Sequence, residues 1–210
     1  MKKIAVFVSG GGSNFMAIHH QIKQGKIPGE IVLVISNNPN CGAIQFAEEN
    51  SIPVLIINET RFPNPHTLNE LLTDTCLKAE INLICLAGYM KILPPAFVKQ
   101  YENKILNIHP GLLPEFGGKG FFGMRVHEAV INSGKRESGA TVHFVDEIYD
   151  HGPIILQKKV EVLETDTAES LAARILKLEH ELFPEVVKAF CENKIIMENN
   201  RPKILAYNEN

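Results

Sequence analysis

Asn107 and His109, one residue apart, close the short run Asn107-Ile108-His109-Pro110. On an extended chain their side chains share one side while Ile108 turns into the core. An amide donor and an imidazole aimed at one point suit an oxyanion on a tetrahedral carbon. Histidine is also the side chain most readily tuned to exchange a proton near neutral pH. The spacing fits equally well a strand-end histidine bonded to backbone. Asp150 lies in the polar stretch Asp146-Glu147-Ile148-Tyr149-Asp150-His151-Gly152-Pro153, where aspartates serve turns for local reasons. Beside His109, its carboxylate would raise the ring's pKa and keep it cationic.

A second patch is Ser9-Gly10-Gly11-Gly12-Ser13-Asn14, between an apolar run and an amphipathic stretch. Glycines let backbone approach a ligand, and the free amides at a helix start favour an anion. The dinucleotide fingerprint is not met: its third glycine position holds Phe15, and the second strand ends Ile35-Ser36-Asn37 without the acidic residue that binds a ribose. A P-loop Gly-Lys-Ser/Thr is also missing. These residues offer a seat for one phosphate, with hydrogen bonds from Ser13 and Asn14, or simply a tight turn between packed elements.

Other chemistries find less support. The remaining histidines show no HExxH or other metal-ligand spacing, so no metal site is expected. Cys41, Cys76, Cys85 and Cys191 form no CxxC pair and read as buried free thiols of a reducing compartment. The chain of 210 residues carries 21 basic and 24 acidic side chains, for a net charge of −3. The basic residues are scattered, which argues against a nucleic-acid partner. The apolar N-terminal stretch breaks at Ser9-Gly10-Gly11-Gly12, too early for a signal core or a membrane span. A cytoplasmic protein without membrane partners is expected.

The elements that must position these residues follow from apolar periodicity. Strands are expected at 4–8, 31–35, 53–57, 81–87 and 105–108, separated by helices at 13–24, 43–50, 68–79 and 94–101. Several strands are continuous apolar runs, as when helices cover both sheet faces. That alternation predicts an α/β fold with a doubly wound, mostly parallel sheet. Beyond a glycine-rich loop at 111–123 come a helix at 124–132 and two strands at 141–145 and 154–162, an antiparallel C-terminal extension of the sheet. A long helix over 168–193 carries Leu171, Ile175, Leu178, Leu182 and Val186 on one stripe. Residues 1–194 are read as one domain, phosphate-binding in its N-terminal half and catalytic in its C-terminal half. Residues 195–210 are read as a tail forming a hairpin or strand.

Together the patches resemble the folate-dependent formyltransferases that act on phosphoribosylglycinamide. The blocks that carry the likeness are Val8 to Asn14, Leu86-Ala87-Gly88-Tyr89-Met90-Lys91-Ile92-Leu93, Asn107 to Pro110, Gly139-Ala140-Thr141-Val142-His143-Phe144-Val145 and Asp150 to Ile155. The resemblance implies a Rossmann-like formyltransferase fold and transfer of the formyl group of 10-formyltetrahydrofolate to the ribonucleotide's amine in purine synthesis. Asn107, His109 and Asp150 would be the catalytic trio. Gly12, Ser13, Asn14 and Glu179 would bind phosphoribosylglycinamide. Met90, Lys91, Ile92, Leu93, Asn107, Val145, Asp146 and Asp150 would line the folate pocket. Where members of the family often read Phe-Met-Arg, this chain has Tyr89-Met90-Lys91. The partners implied are small molecules, with the protein a monomer or homodimer. A formyltetrahydrofolate deformylase of the same fold is the alternative, although with the first strand starting at Lys3 no regulatory domain is expected before it. A methionyl-tRNA formyltransferase would need a further C-terminal domain. A nucleotide-binding module without chemistry also remains open.

Overall fold

A computed structural model describes residues 1–58, 62, 64–199 and 201–206. In chain order the elements are β1 (Lys2–Val8), α1 (Ser13–Lys23), β2 (Gly29–Ser36), α2 (Gly42–Glu49), β3 (Val54–Ile56), α3 (Pro65–Lys78), β4 (Leu83–Leu86), α4 (Pro95–Gln100), β5 (Ile105–His109), α5 (Met124–Ser133), β6 (Glu137–Phe144), β7 (Ile154–Glu161), α6 (Ala168–Cys191), β8 (Ile195–Glu198) and β9 (Arg201–Ile204).

The apolar runs become strands because helices cover them on both sides. Ile4, Val6 and Val8 of β1 pack with Phe15, Ile18, Leu171, Ile175 and Phe183 on one face of the sheet. Ala5 and Phe7 pack with Leu33, Leu72, Ile84 and Phe97 on the other. Alternating residues of one strand thus feed two separate cores, and both sets must be apolar.

Among the described residues the main sheet runs β3-β2-β1-β4-β5-β6-β7. Pairing is parallel from β3 through β5 and antiparallel where β6 meets β5 and β7 meets β6. This is the doubly wound sheet with an antiparallel extension that the sequence predicts. Strand order reverses between β1 and β4, and open α/β sheets bind ligands in the crevice beyond the strand ends at such a switch point. The loops after β1 and β4 and the end of β5 all open there. The antiparallel register sets Asn107 opposite His143 and His109 opposite Thr141.

Several boundaries differ from the sequence reading. Helix α3 starts at Pro65 rather than 68, because Asn64 caps it by accepting from the His66 amide and Pro65 suits the first turn. Strand β6 starts at Glu137 rather than 141. Ser138 and Gly139 look like turn residues in sequence, yet both are covered by neighbours and pair with β7. In the tail, β8 and β9 form an antiparallel hairpin, while residues 207–210 lie outside the described part.

Gly139 is required by close approach. A Cβ there would overlap the Lys158 carbonyl oxygen of β7 and lie 2.6 Å from Leu112 Cδ2. Gly139→Ala is therefore expected to destabilise the protein by about 1–3 kcal/mol. Gly10→Ala meets open space and should stay within about 0.5 kcal/mol of the parent. Urea unfolding midpoints compare the two; an unchanged midpoint for Gly139→Ala would contradict this packing.

Candidate active site

The loop that follows β1 turns on Gly12. Its φ is 76° and a Cβ would come within 2.6 Å of Ala43 Cβ, so neither the angle nor the space admits a side chain. Gly12 is also the N-cap of α1, without a side-chain cap, which leaves the helix's first amides to a ligand. Ser9 ties the neighbouring loops together. Its hydroxyl donates to Asn37 Oδ1 at 2.5 Å and accepts from the Met90 amide at 2.9 Å.

On the first turn of α1, Asn14 is buried and donates through Nδ2 to Glu179 Oε2 of α6 at 2.6 Å. Two residues 165 positions apart, both expected to bind the ribonucleotide, therefore touch. Burial pushes the Glu179 carboxyl up to about 7, against the opposing pull of the Asn14 bond.

A cleft of about 770 Å³ extends from Asn14 and Glu179 past Met90 to Asn107, His109 and Asp150. Lys91, Ile92, Leu93, Val145 and Asp146 line a second pocket of about 60 Å³, whose walls share Tyr89, Asn107, Tyr149 and Asp150 with the larger one. Exposed Met90, Phe122 and Tyr149 on the larger cleft and Ile92 on the smaller pocket give this region an apolar character, suited to a flat aromatic ring. Asp146 is partly committed to its own loop: it accepts from the Ile148 amide at 2.9 Å and pairs with His151 at 2.7 Å.

The trio converges. Asn107 Nδ2 donates to Asp150 Oδ1 at 3.3 Å, and His109 Nδ1 lies 3.5 Å from Asp150 Oδ2. Asp150 is held in a left-handed conformation, φ 53°, which Asp and Asn tolerate better than most residues. The Gly118 amide donates to its Oδ2 at 3.0 Å. Burial raises this carboxyl, but His143, His109 and the Gly118 amide outweigh it, leaving Asp150 below its ordinary range.

His109 differs from the sequence reading. Its Nε2 lies 2.6 Å from the Phe116 carbonyl; because a carbonyl only accepts, Nε2 carries the proton of the neutral ring. Asp150 does raise the ring's pKa, as does Phe116, but burial at 3% exposure outweighs both, and His143 adds to the lowering. The net direction is down: a ring poised to take up a proton rather than one held cationic. Sequence reasoning also missed the direct partners of the trio. His143 Nε2 stands 3.0 Å from Asn107 Nδ2, and the Phe116 carbonyl and Gly118 amide come from the glycine-rich loop. His143 appeared only inside a matching block, and its cross-strand pairing with Asn107 leaves no mark in sequence spacing. Among the described residues no group of three or more His, Cys, Asp or Glu side chains could hold a metal ion, and no helix is long and apolar enough to cross a membrane.

Burial of Glu179 is expected to make folding stability depend on pH. Its carboxyl keeps its proton to about pH 7 in the folded chain but loses it near 4.5 in the unfolded one. The folded state therefore binds more protons in that window, and this group's contribution to stability falls as pH rises. Glu179→Gln removes the effect, on the order of 3 kcal/mol between pH 5 and 8. Urea unfolding of both proteins at these two pH values measures it. Parallel pH dependence would mean that Glu179 ionises in the ordinary carboxylate range.

A family model described as "Formyl transferase" matches residues 2–187. The chloroplastic phosphoribosylglycinamide formyltransferase of Vigna unguiculata is 48% identical over all of this chain and 67% of its own. That of Haemophilus influenzae is 38% identical over 95% of this chain and 92% of its own. Among solved structures, glycinamide ribonucleotide transformylase 1 from Symbiobacterium toebii superposes with a TM-score of 0.90 at 36% identity, covering 98% of this chain and 95% of its own. A formyltetrahydrofolate deformylase from Pseudomonas syringae shares the fold at 24% identity. With its glycine-capped first helix, its switch-point cleft and the Asn107, His109 and Asp150 cluster, this chain belongs to the formyl transferase family, alongside the phosphoribosylglycinamide formyltransferases.

Proposed function

We propose that the protein transfers the formyl group of 10-formyltetrahydrofolate to the amine of phosphoribosylglycinamide, giving the formylglycinamide ribonucleotide and tetrahydrofolate. The observation that carries this reading is the meeting of Asn107, His109 and Asp150 in the same cleft as Asn14 and Glu179. The free amides behind Gly12, with Ser13 and Asn14, seat the phosphate. Glu179 bonds the ribonucleotide from the opposite helix. The apolar rim from Met90 to Leu93, with the turn at 145–150, receives the pterin.

The folate supplies a formyl carbon that turns tetrahedral under attack by the amine, and a nitrogen that leaves with a proton. The protein's part is to place the two reactants, which already removes much of the entropic barrier, and to move that proton. His109 leans neutral before reaction, so it is able to accept a proton, and the adjacent Asp150 carboxylate then stabilises the cation. Charge growing on the formyl oxygen favours the same imidazolium. Asn107 bonds the reacting groups from the neighbouring strand position. The four buried free thiols suit a reducing compartment, and we place the protein in the cytoplasm as a monomer or homodimer acting on small molecules without a metal.

Absorbance of released folate, followed with and without the ribonucleotide, tests the assignment. Release that depends on the ribonucleotide and yields the formylated product is expected; release that ignores it would indicate a deformylase. His109→Ala and Asp150→Asn should each lower kcat by about 10²–10⁴ with KM little changed. Asparagine is chosen because it tolerates the left-handed backbone at 150. Near-normal turnover in either variant would remove that residue from the mechanism.

A further inference from the structure

We propose that His143 is a positioning residue that dictates which end of the Asn107 carboxamide faces the cleft. The inference rests on the formyl-transfer reading for its consequence but on bond geometry for its substance. His143 sits on β6 directly opposite Asn107 and is 2% exposed. Its Nδ1 lies 2.7 Å from the carbonyl of Phe144. A carbonyl cannot donate, so Nδ1 carries the ring's proton and Nε2 presents a lone pair.

That lone pair meets Asn107 Nδ2 at 3.0 Å, and Asp150 Oδ1 meets the same nitrogen at 3.3 Å. An amide nitrogen has two protons, and here each has an acceptor. Turning the amide over would set its oxygen against a carboxylate oxygen and an imidazole lone pair, two repulsive contacts at once. His143 and Asp150 therefore hold the NH₂ on their side of the carboxamide. Asp150 itself lines the cleft, so the second N–H, the one His143 does not take, is directed there. A donor held there suits the formyl oxygen as charge grows on it. The expected role of Asn107 as a donor to an oxyanion then depends on His143 holding the carboxamide this way round.

The residue spacing supports a dedicated role. Thr141, two positions earlier on the same side of β6, donates to the Gly111 carbonyl at 2.6 Å and accepts from Gln157 at 2.8 Å. Alternate residues of one strand thus brace the start of the glycine-rich loop and the carboxamide beside it. The block Gly139 to Val145, which carried the family resemblance without a chemical role, acquires one.

Formyl-transfer kinetics of His143→Ala, His143→Gln, Asn107→Ala and the double variant His143→Ala/Asn107→Ala test this. His143→Ala should lower kcat about 10–100-fold, the usual cost of losing a residue that orients a reacting group, with KM for both substrates little changed. His143→Gln, whose Oε1 takes the place of Nε2 as acceptor, should recover most of the loss. In the Asn107→Ala background His143→Ala should cost nothing further, because its target is gone. An equal loss in both backgrounds, or no loss at all, overturns the proposal. Should the alanine variant fail to fold, ¹⁵N NMR of the unmodified protein decides: the proton of His143 on Nδ1 with Nε2 bare supports the proposal, and a proton on Nε2 overturns it. The NMR result stands whether or not the protein transfers formyl groups, so failure of the activity and failure of this inference remain distinguishable.

Discussion

The Asp150 carboxylate is a charge withdrawn from water, and a buried charge persists only where hydrogen bonds and opposite partial charges replace its hydration. Gly118 and Asn107 donate to its two oxygens, and His109, 3.5 Å away, adds the opposite charge when it takes up a proton. These partners come from the glycine-rich loop and the end of β5, while Asp150 itself belongs to the turn after β6. Holding that one carboxyl group therefore fixes three segments relative to each other. The left-handed backbone at 150 is tolerated because these contacts over-determine it.

The same network separates the two histidines chemically. Each gives one ring nitrogen to a backbone carbonyl, His109 through Nε2 to Phe116 and His143 through Nδ1 to Phe144. Opposite nitrogens are thus left facing the centre. His109 presents Nδ1 to Asp150 and is placed to take a proton, whereas His143 presents Nε2 to Asn107 and is placed to orient an amide. In the proposed reaction one residue type serves two tasks because the backbone acceptor chooses the tautomer.

On the far wall, Asn14 and Glu179 repeat the pattern with a carboxyl whose proton is retained to about pH 7. A neutral acid costs less to bury than a carboxylate, which lets α6 pack closely against α1 while still presenting a polar group to the cleft. The two walls meet at the switch point of the sheet. Reactive groups so far apart in the chain are brought together by strand order rather than by proximity in sequence.

Continuous apolar runs such as Ile4 to Val8, alternating with amphipathic helices, point by themselves to a mostly parallel sheet covered on both faces, since strands apolar on both sides need helices over each. Glycines before Ser13, and Asn107 with His109 at a strand end, are likewise legible as candidates for the proposed ligand seat and reaction centre, because loop chemistry and side-chain alternation are local properties. Boundaries at Pro65 and Glu137 were less legible, where a capping asparagine and a covered Ser-Gly pair read as loop. Pairing and protonation came from the folded arrangement: Asn107 faces His143, Phe116 and Gly118 reach the cluster, and burial turns His109 toward neutrality and Glu179 toward the acid. Register between strands, and the water a side chain loses on burial, depend on residues remote in the chain, and a linear sequence carries no record of either.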